Sequence, residues 1–344
     1  MTIEKRPFGQ TKDGREVELY TLSDSGYSVD IITYGASIRC IKVPVAGGTR
    51  DVALGFDDIA GHEGNKGCHG AVIGRVGNRI ANARYEMNGQ TYHLDANSPP
   101  NCLHGGFIGF DKQIWTAEEQ PGALVLTLID KEGTAAGFPG DLEVKVKYTL
   151  ANGELGMEYI ATCDKDTPIN LTNHCYFNLA GHNAGSIENH KIQIFSHKIT
   201  EVDKSLIPTG ELMDVTDTPL DLRELTPVGP GLERSCPQMD LGGGYDHNFV
   251  LSTEPCRPLA TAAVLECDGL SMTCLTTKPG VQFYTGNMMM GDIGKGGAVY
   301  SKRTGLCLET QYWPDSVNKP QFPAPILRKG DVYNHKTVYR FREV

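Results

Sequence analysis

The sequence predicts an all-β fold, an antiparallel sandwich or barrel with very little helix. Three observations lead there. Apolar and polar residues alternate with a period of two, Asn-Gly and Asp-Gly pairs punctuate those runs, and helical periodicity is nearly missing.

Taken along the chain, residues 27–40 are the first long strand candidate. Tyr85-Glu86-Met87 and Gln90-Thr91-Tyr92 then flank Asn88-Gly89. A type I′ turn needs positive φ at both central residues, which Asn-Gly accepts at low cost, so this reads as a hairpin. Residues 123–129 form a further strand candidate. Leu142, Val144, Val146, Tyr148 and Leu150 alternate with Glu143, Lys145, Lys147 and Thr149, a strand with one buried and one wet face. Beyond Asn152-Gly153 the alternation resumes at Leu155, Met157, Tyr159 and Ala161. Asp268-Gly269 joins two more runs, 264–267 and 270–274. Residues 191–195, 281–285 and 338–341 complete the strand candidates, and 57–62 and 221–225 each suit one short turn of helix. No composition break or low-complexity linker divides the chain, so a single unit spanning 1–344 is expected, although its length alone would suit about two domains.

Composition bounds the function. The chain has 32 basic and 42 acidic residues, a net charge of −10, which argues against nucleic acid or an anionic membrane as partner. Its 40 glycines and 19 prolines fit many turns, while the 40% apolar content argues against disorder. Ten cysteines occur with no Cys-x-x-Cys pair, and no apolar stretch of signal-peptide or membrane-span length is present. A reduced, cytoplasmic protein is expected, with cysteines acting mostly as small core residues. Gly-x-Gly-x-x-Gly, the P-loop and Gly-x-Ser-x-Gly are all missing. Cys102-x-His104 and Cys68-His69 lack the second ligand pair of a structural zinc site, so no metal is expected.

Five segments place ionisable residues among Gly, Asn and aromatics: 74–80, 101–106, 170–179, 242–249 and 305–315. In the last, Leu306 and Leu308 share one strand face and Cys307, Glu309 and Gln311 the other. Glu309 is then either a solvated carboxylate on an edge strand or one lining a cleft, and the segment alone does not choose. Singly, His174 and His104 read as hydrogen-bonded structural residues, Arg79 as half of a surface ion pair and Asp246 as a turn cap. Together, these amides, imidazoles, carboxylates and aromatics are equipment for holding a neutral polyol, with no basic cluster for a sugar phosphate.

Long motifs carry a resemblance. Residues 70–80 (GAVIGRVGNRI), 103–106 (LHGG), 167–174 (TPINLTNH), 279–287 (PGVQFYTGN) and 307–311 (CLETQ) make the chain closely similar to the aldose 1-epimerase, or galactose mutarotase, family over nearly its whole length. Gly77 and Cys175 stand where relatives often carry Ala and Ser. The resemblance implies a large antiparallel β-sandwich of the galactose mutarotase type, acting on small-molecule aldohexoses without a cofactor, as a monomer or weak homodimer. It implies Glu309 as general base, His174 as general acid and His104 near the ring oxygen, with Asn78, Arg79, Tyr176, Asp246 and Gln282 binding sugar. Two other readings compete. A glycoside hydrolase would pair Asp246 with Glu309, and a non-catalytic sugar binder would not need Glu309 and His174 together. Cys102, Cys175 and Cys307 lie within two residues of these positions, so thiol reagents are expected to inhibit through them.

Overall fold

The computed structural model describes residues 1–133, 136–256 and 258–344. Three antiparallel sheets dominate. One has five strands in sequential order: Thr2–Gln10, Glu16–Asp24, Tyr27–Ile32, Ser37–Val45 and Gly48–Asp51. The largest has nine, running from Thr116–Gln120 at one edge through Ala123–Asp130, Leu142–Ala151, Glu154–Cys163, Tyr333–Glu343, Leu270–Thr276, Ala260–Cys267 and Lys191–Ile194 to Thr226–Pro227. The third has six: Tyr176–Phe177, Leu306–Gln311, Gly280–Tyr284, Asp246–Val250, Lys198–Val202 and Pro208–Asp214. Alternating side chains from all three meet in one apolar cluster that reaches from Tyr20 to Phe341. No helix among the described residues is long and apolar enough to cross a membrane.

The turn chemistry acts where the sequence places it. Asn88-Gly89, Asn152-Gly153 and Asp268-Gly269 all have positive φ at both residues, and each joins two paired strands. Leu142–Ala151 buries its Leu, Val and Tyr residues and turns its Glu, Lys and Thr residues outward.

Two local expectations fail. Residues 27–40 are not one strand. The chain reverses at Tyr34-Gly35-Ala36, with Gly35 and Ala36 at φ 66° and 47°, giving the paired strands Tyr27–Ile32 and Ser37–Val45. A Cβ on Gly35 would lie 2.6 Å from the Asp111 carbonyl oxygen, so a single glycine inside an apolar run was the breaker. Residues 221–225 form no helix, because Arg223 folds back onto Asp221 with bonds of 2.7 and 2.6 Å. The helix expected at 57–62 forms at Ile59–Gly64, and two further short helices lie at Val228–Leu232 and Pro237–Gly242, the last opening on proline at its first turn.

Candidate active site

Glu309 sits mid-strand in Leu306–Gln311, whose six residues are all buried. That strand is paired on both sides, by Tyr176–Phe177 and Gly280–Tyr284, so it is not an edge. The register sets Glu309 beside Gln282 and Cys307 beside Tyr284, giving one polar face across neighbouring strands.

His174 reaches the same place from a short connection. Thr172 and Asn173 pair with Ile73 and Val72. The Asn173 amide donates to the Gly70 carbonyl at 2.7 Å and accepts from the Cys175 N–H at 3.0 Å, pinning the backbone on both sides of His174. The imidazole Nε2 then lies 3.6 Å from Glu309 Oε1. Its Nδ1 faces Cys307 Sγ at 3.5 Å.

His104 and Asn78 hold each other. Both have left-handed backbone, at φ 53° and 58°, and they flank the paired segments Cys102–Leu103 and Arg79–Ile80. The His104 N–H donates to the Asn78 carbonyl at 2.9 Å, and the Asn78 N–H donates to His104 Nδ1 at 3.1 Å. A backbone N–H can only donate, so Nδ1 accepts and the neutral ring carries its proton on Nε2. Gly105 follows because its backbone presses on the Gly74–Arg75 peptide. A Cβ there would stand 1.9 Å from the Gly74 carbonyl oxygen.

These groups open into a cavity of about 510 Å³, lined by Asn78, Arg79, His104, His174, Tyr176, Asp246 and Glu309 among others. Of the residues expected from the sequence, Gln282 alone is not on that wall. Its amide Nε2 donates to Asp246 Oδ1 at 2.7 Å, and its Oε1 accepts from Gln311 Nε2 at 3.1 Å, so it stands behind Asp246. The wall also holds residues not assigned to the site from the sequence: Cys68 and His69, considered there only as a zinc pair, Tyr284 and the run Met288–Met290. Tyr284 was legible, since it shares the strand face of Gln282 two residues away. His69, which stacks on Tyr176 at 4.5 Å between ring centroids, carried no such signal. Cys102, Cys175 and Cys307 are 2%, 1% and 0% exposed, so a thiol reagent has no open route to them, whereas Cys68 reaches the wall.

Electrostatics follow from burial. Desolvation, with Asp246 nearby, holds the Glu309 carboxyl well above the usual range. Burial pulls His174 down to about 4 and His104 well below the ordinary imidazole range. Glu309 Oε2 has no hydrogen-bond partner although it is buried. An orphaned carboxyl oxygen on a residue of the cavity wall is a place for a hydroxyl. His104, His174 and Glu309 bring ligand-type atoms within 4.8 Å of one another, the donor set a metal would use. The proton on His104 Nε2 makes that nitrogen a donor, which suits an oxygen better than a cation.

The aldose 1-epimerase family model matches residues 18–340. Galactose mutarotase from Mus musculus is 42% identical over 344 residues, covering 99% of both chains. The human galactose mutarotase is 42% identical, covering 99% of this chain and 98% of its own. Aldose 1-epimerase from Escherichia coli K12 is 36% identical, covering 96% of each. Among solved structures, an aldose epimerase homologue from C. elegans superposes with a TM-score of 0.87 at 28% identity, over 95% of this chain and 99% of that one. With its fold, its cavity and these relatives in agreement, this chain belongs to the aldose 1-epimerase family.

Proposed function

We propose that the protein interconverts the α and β anomers of free aldohexoses, galactose and glucose first among them, with Glu309 as base and His174 as acid. One observation carries the reading: Glu309 and His174 present an oxygen and a nitrogen 3.6 Å apart at the wall of a polar cavity. Opening a cyclic hemiacetal removes a proton from the C1 hydroxyl and adds one to the ring oxygen. Both oxygens are bonded to C1, so base and acid must stand a few ångströms apart. After rotation about C1–C2, closure from the other face returns both protons and gives the other anomer.

The pair works as a unit that holds one transferable proton. Before sugar binds, burial favours its uncharged form, a carboxylic acid beside a neutral imidazole. Sugar hydroxyls that bond to Glu309 Oε2 stabilise the carboxylate and move the proton to His174. The raised carboxyl is then a stronger base than an ordinary glutamate, and the depressed imidazole a stronger acid than an ordinary histidine. His104 Nε2–H donates toward the ring oxygen. Asn78, Arg79, Tyr176 and Asp246 bind hydroxyls away from C1 and retain the open aldehyde for its rotation. Gln282 serves by holding Asp246.

The test is polarimetric relaxation of freshly dissolved α-D-galactose, with wild type, Glu309→Gln and His174→Gln. The reading expects wild type to accelerate relaxation and both variants to lose most of that effect. A Glu309→Gln enzyme as fast as wild type would remove Glu309 from the mechanism. Release of an aryl leaving group from an aryl galactoside would favour hydrolysis instead.

A further inference from the structure

Cys307 has no assigned task, yet it lies on the catalytic strand face two residues before Glu309. From that face, Glu309 addresses Nε2 of His174 at 3.6 Å and Cys307 addresses Nδ1 at 3.5 Å. Two side chains of one strand thus bracket both nitrogens of one imidazole. Cys307 is 0% exposed and His174 is 6% exposed, so water cannot replace either contact cheaply.

We propose that Cys307 is a positioning residue whose sulfur accepts the Nδ1–H of His174, fixing the tautomer that leaves Nε2 free to exchange a proton with substrate. The proposal rests on His174 being the acid. An imidazolium that gives up its Nε2 proton must keep a proton on Nδ1, and that N–H needs an acceptor in the direction it points. Cys307 Sγ occupies that direction. A thiol sulfur is a weak acceptor without charge, so it orients the ring as a carboxylate would but does not hold the imidazolium as tightly. The buried acid therefore stays ready to release its proton. The other groups facing His174 are Glu309 on the same strand as Cys307, His104 edge-on at 5.3 Å, Tyr176 at 5.0 Å and Tyr284 at 6.3 Å between ring centroids.

The test combines nitrogen-15 NMR of the imidazoles with kinetics. His174 is assigned by comparison with His174→Gln. Wild type is expected to show neutral His174 as the Nδ1–H tautomer, and Cys307→Ala a mixture of tautomers. Cys307→Ala should lower kcat about three- to tenfold, the scale of one modest hydrogen bond, with KM and melting temperature little changed. Cys307→Ser, which keeps a small acceptor, should recover part of the rate. An Nε2–H tautomer in wild type overturns the proposal, as does a Cys307→Ala enzyme with wild-type kcat and pH profile. Neither result touches the roles of Glu309 and His174, which the glutamine variants test separately.

Discussion

Two buried ionisable sites in this molecule are equally hidden and differently finished. Arg75 is 2% exposed and Glu309 is 3% exposed. Arg75 donates to Asp130 Oδ2 from Nε at 2.9 Å and from Nη2 at 2.7 Å. Its remaining donors reach the carbonyls of Pro139, Gly140 and Asp130 and the Thr167 hydroxyl. Glu309 has one imidazole nitrogen at 3.6 Å and a second oxygen with no partner. A buried charge with every hydrogen bond made fixes structure, and a buried carboxyl left with an unmet oxygen is held ready for a ligand.

The largest expected effect breaks the open site. Glu309→Gln should lower the mutarotation rate by about 10² to 10⁴, the usual share of one acid–base group. Stability should move the other way. A carboxyl whose folded pKa is raised costs the folded state when it ionises, so stability falls as pH rises from the ordinary carboxyl range through the raised value. Glutamine does not ionise. Its melting temperature should therefore exceed wild type above that window and match it at low pH, where both side chains are neutral. Thermal scans across pH check this, and a melting temperature lower than wild type at every pH would contradict it. Because the working pair holds one transferable proton, wild-type activity should fall as pH rises through the raised Glu309 range, where that proton is lost.

The finished site should respond in the opposite sense. Arg75→Met leaves Asp130 charged, buried and unpaired, and should cost roughly 3–5 kcal/mol of stability. Urea denaturation measures the loss, and kcat of the folded variant should be unchanged. A large loss of kcat with stability intact would mean that Arg75 serves the cavity after all.

Residue type and spacing do not separate Arg75 from Arg79, four residues apart in GRVGNRI, and only the family resemblance picked Arg79 for the sugar. The partner that buries Arg75 is 55 positions away, and no local pattern reports it. What was legible was local: Asn-Gly turns, and the period-two face that groups Cys307, Glu309 and Gln311. Those elements formed as their chemistry dictates. Burial of the Glu309 strand was not legible, because an edge and a central strand read alike until pairing supplies the second neighbour. The Cys68–His69 and Met288–Met290 parts of the wall come from turns whose direction only tertiary packing sets. The ring nitrogen that carries the proton in His104 depends on one backbone amide from Asn78, likewise invisible in the sequence.

The smallest expected effect lies between the two extremes, at Gln282. It is buried like Arg75, and its amide is used on both sides, by Asp246 at 2.7 Å and by Gln311 at 3.1 Å. Yet the carboxylate it holds faces the cavity. Gln282→Leu removes a hydrogen bond to a charged group, worth about 1.5–3 kcal/mol, part of which water entering the cavity restores to Asp246. KM should therefore rise by about tenfold or less, with kcat nearly unchanged, because Asp246 binds hydroxyls and moves no proton. Asp246→Asn should raise KM further, and adding Gln282→Leu to it should cost little more, since both act through one contact. Saturation kinetics on the two single variants and the double variant decide the point. Additive losses would mean that Gln282 touches the sugar itself rather than supporting the residue that does.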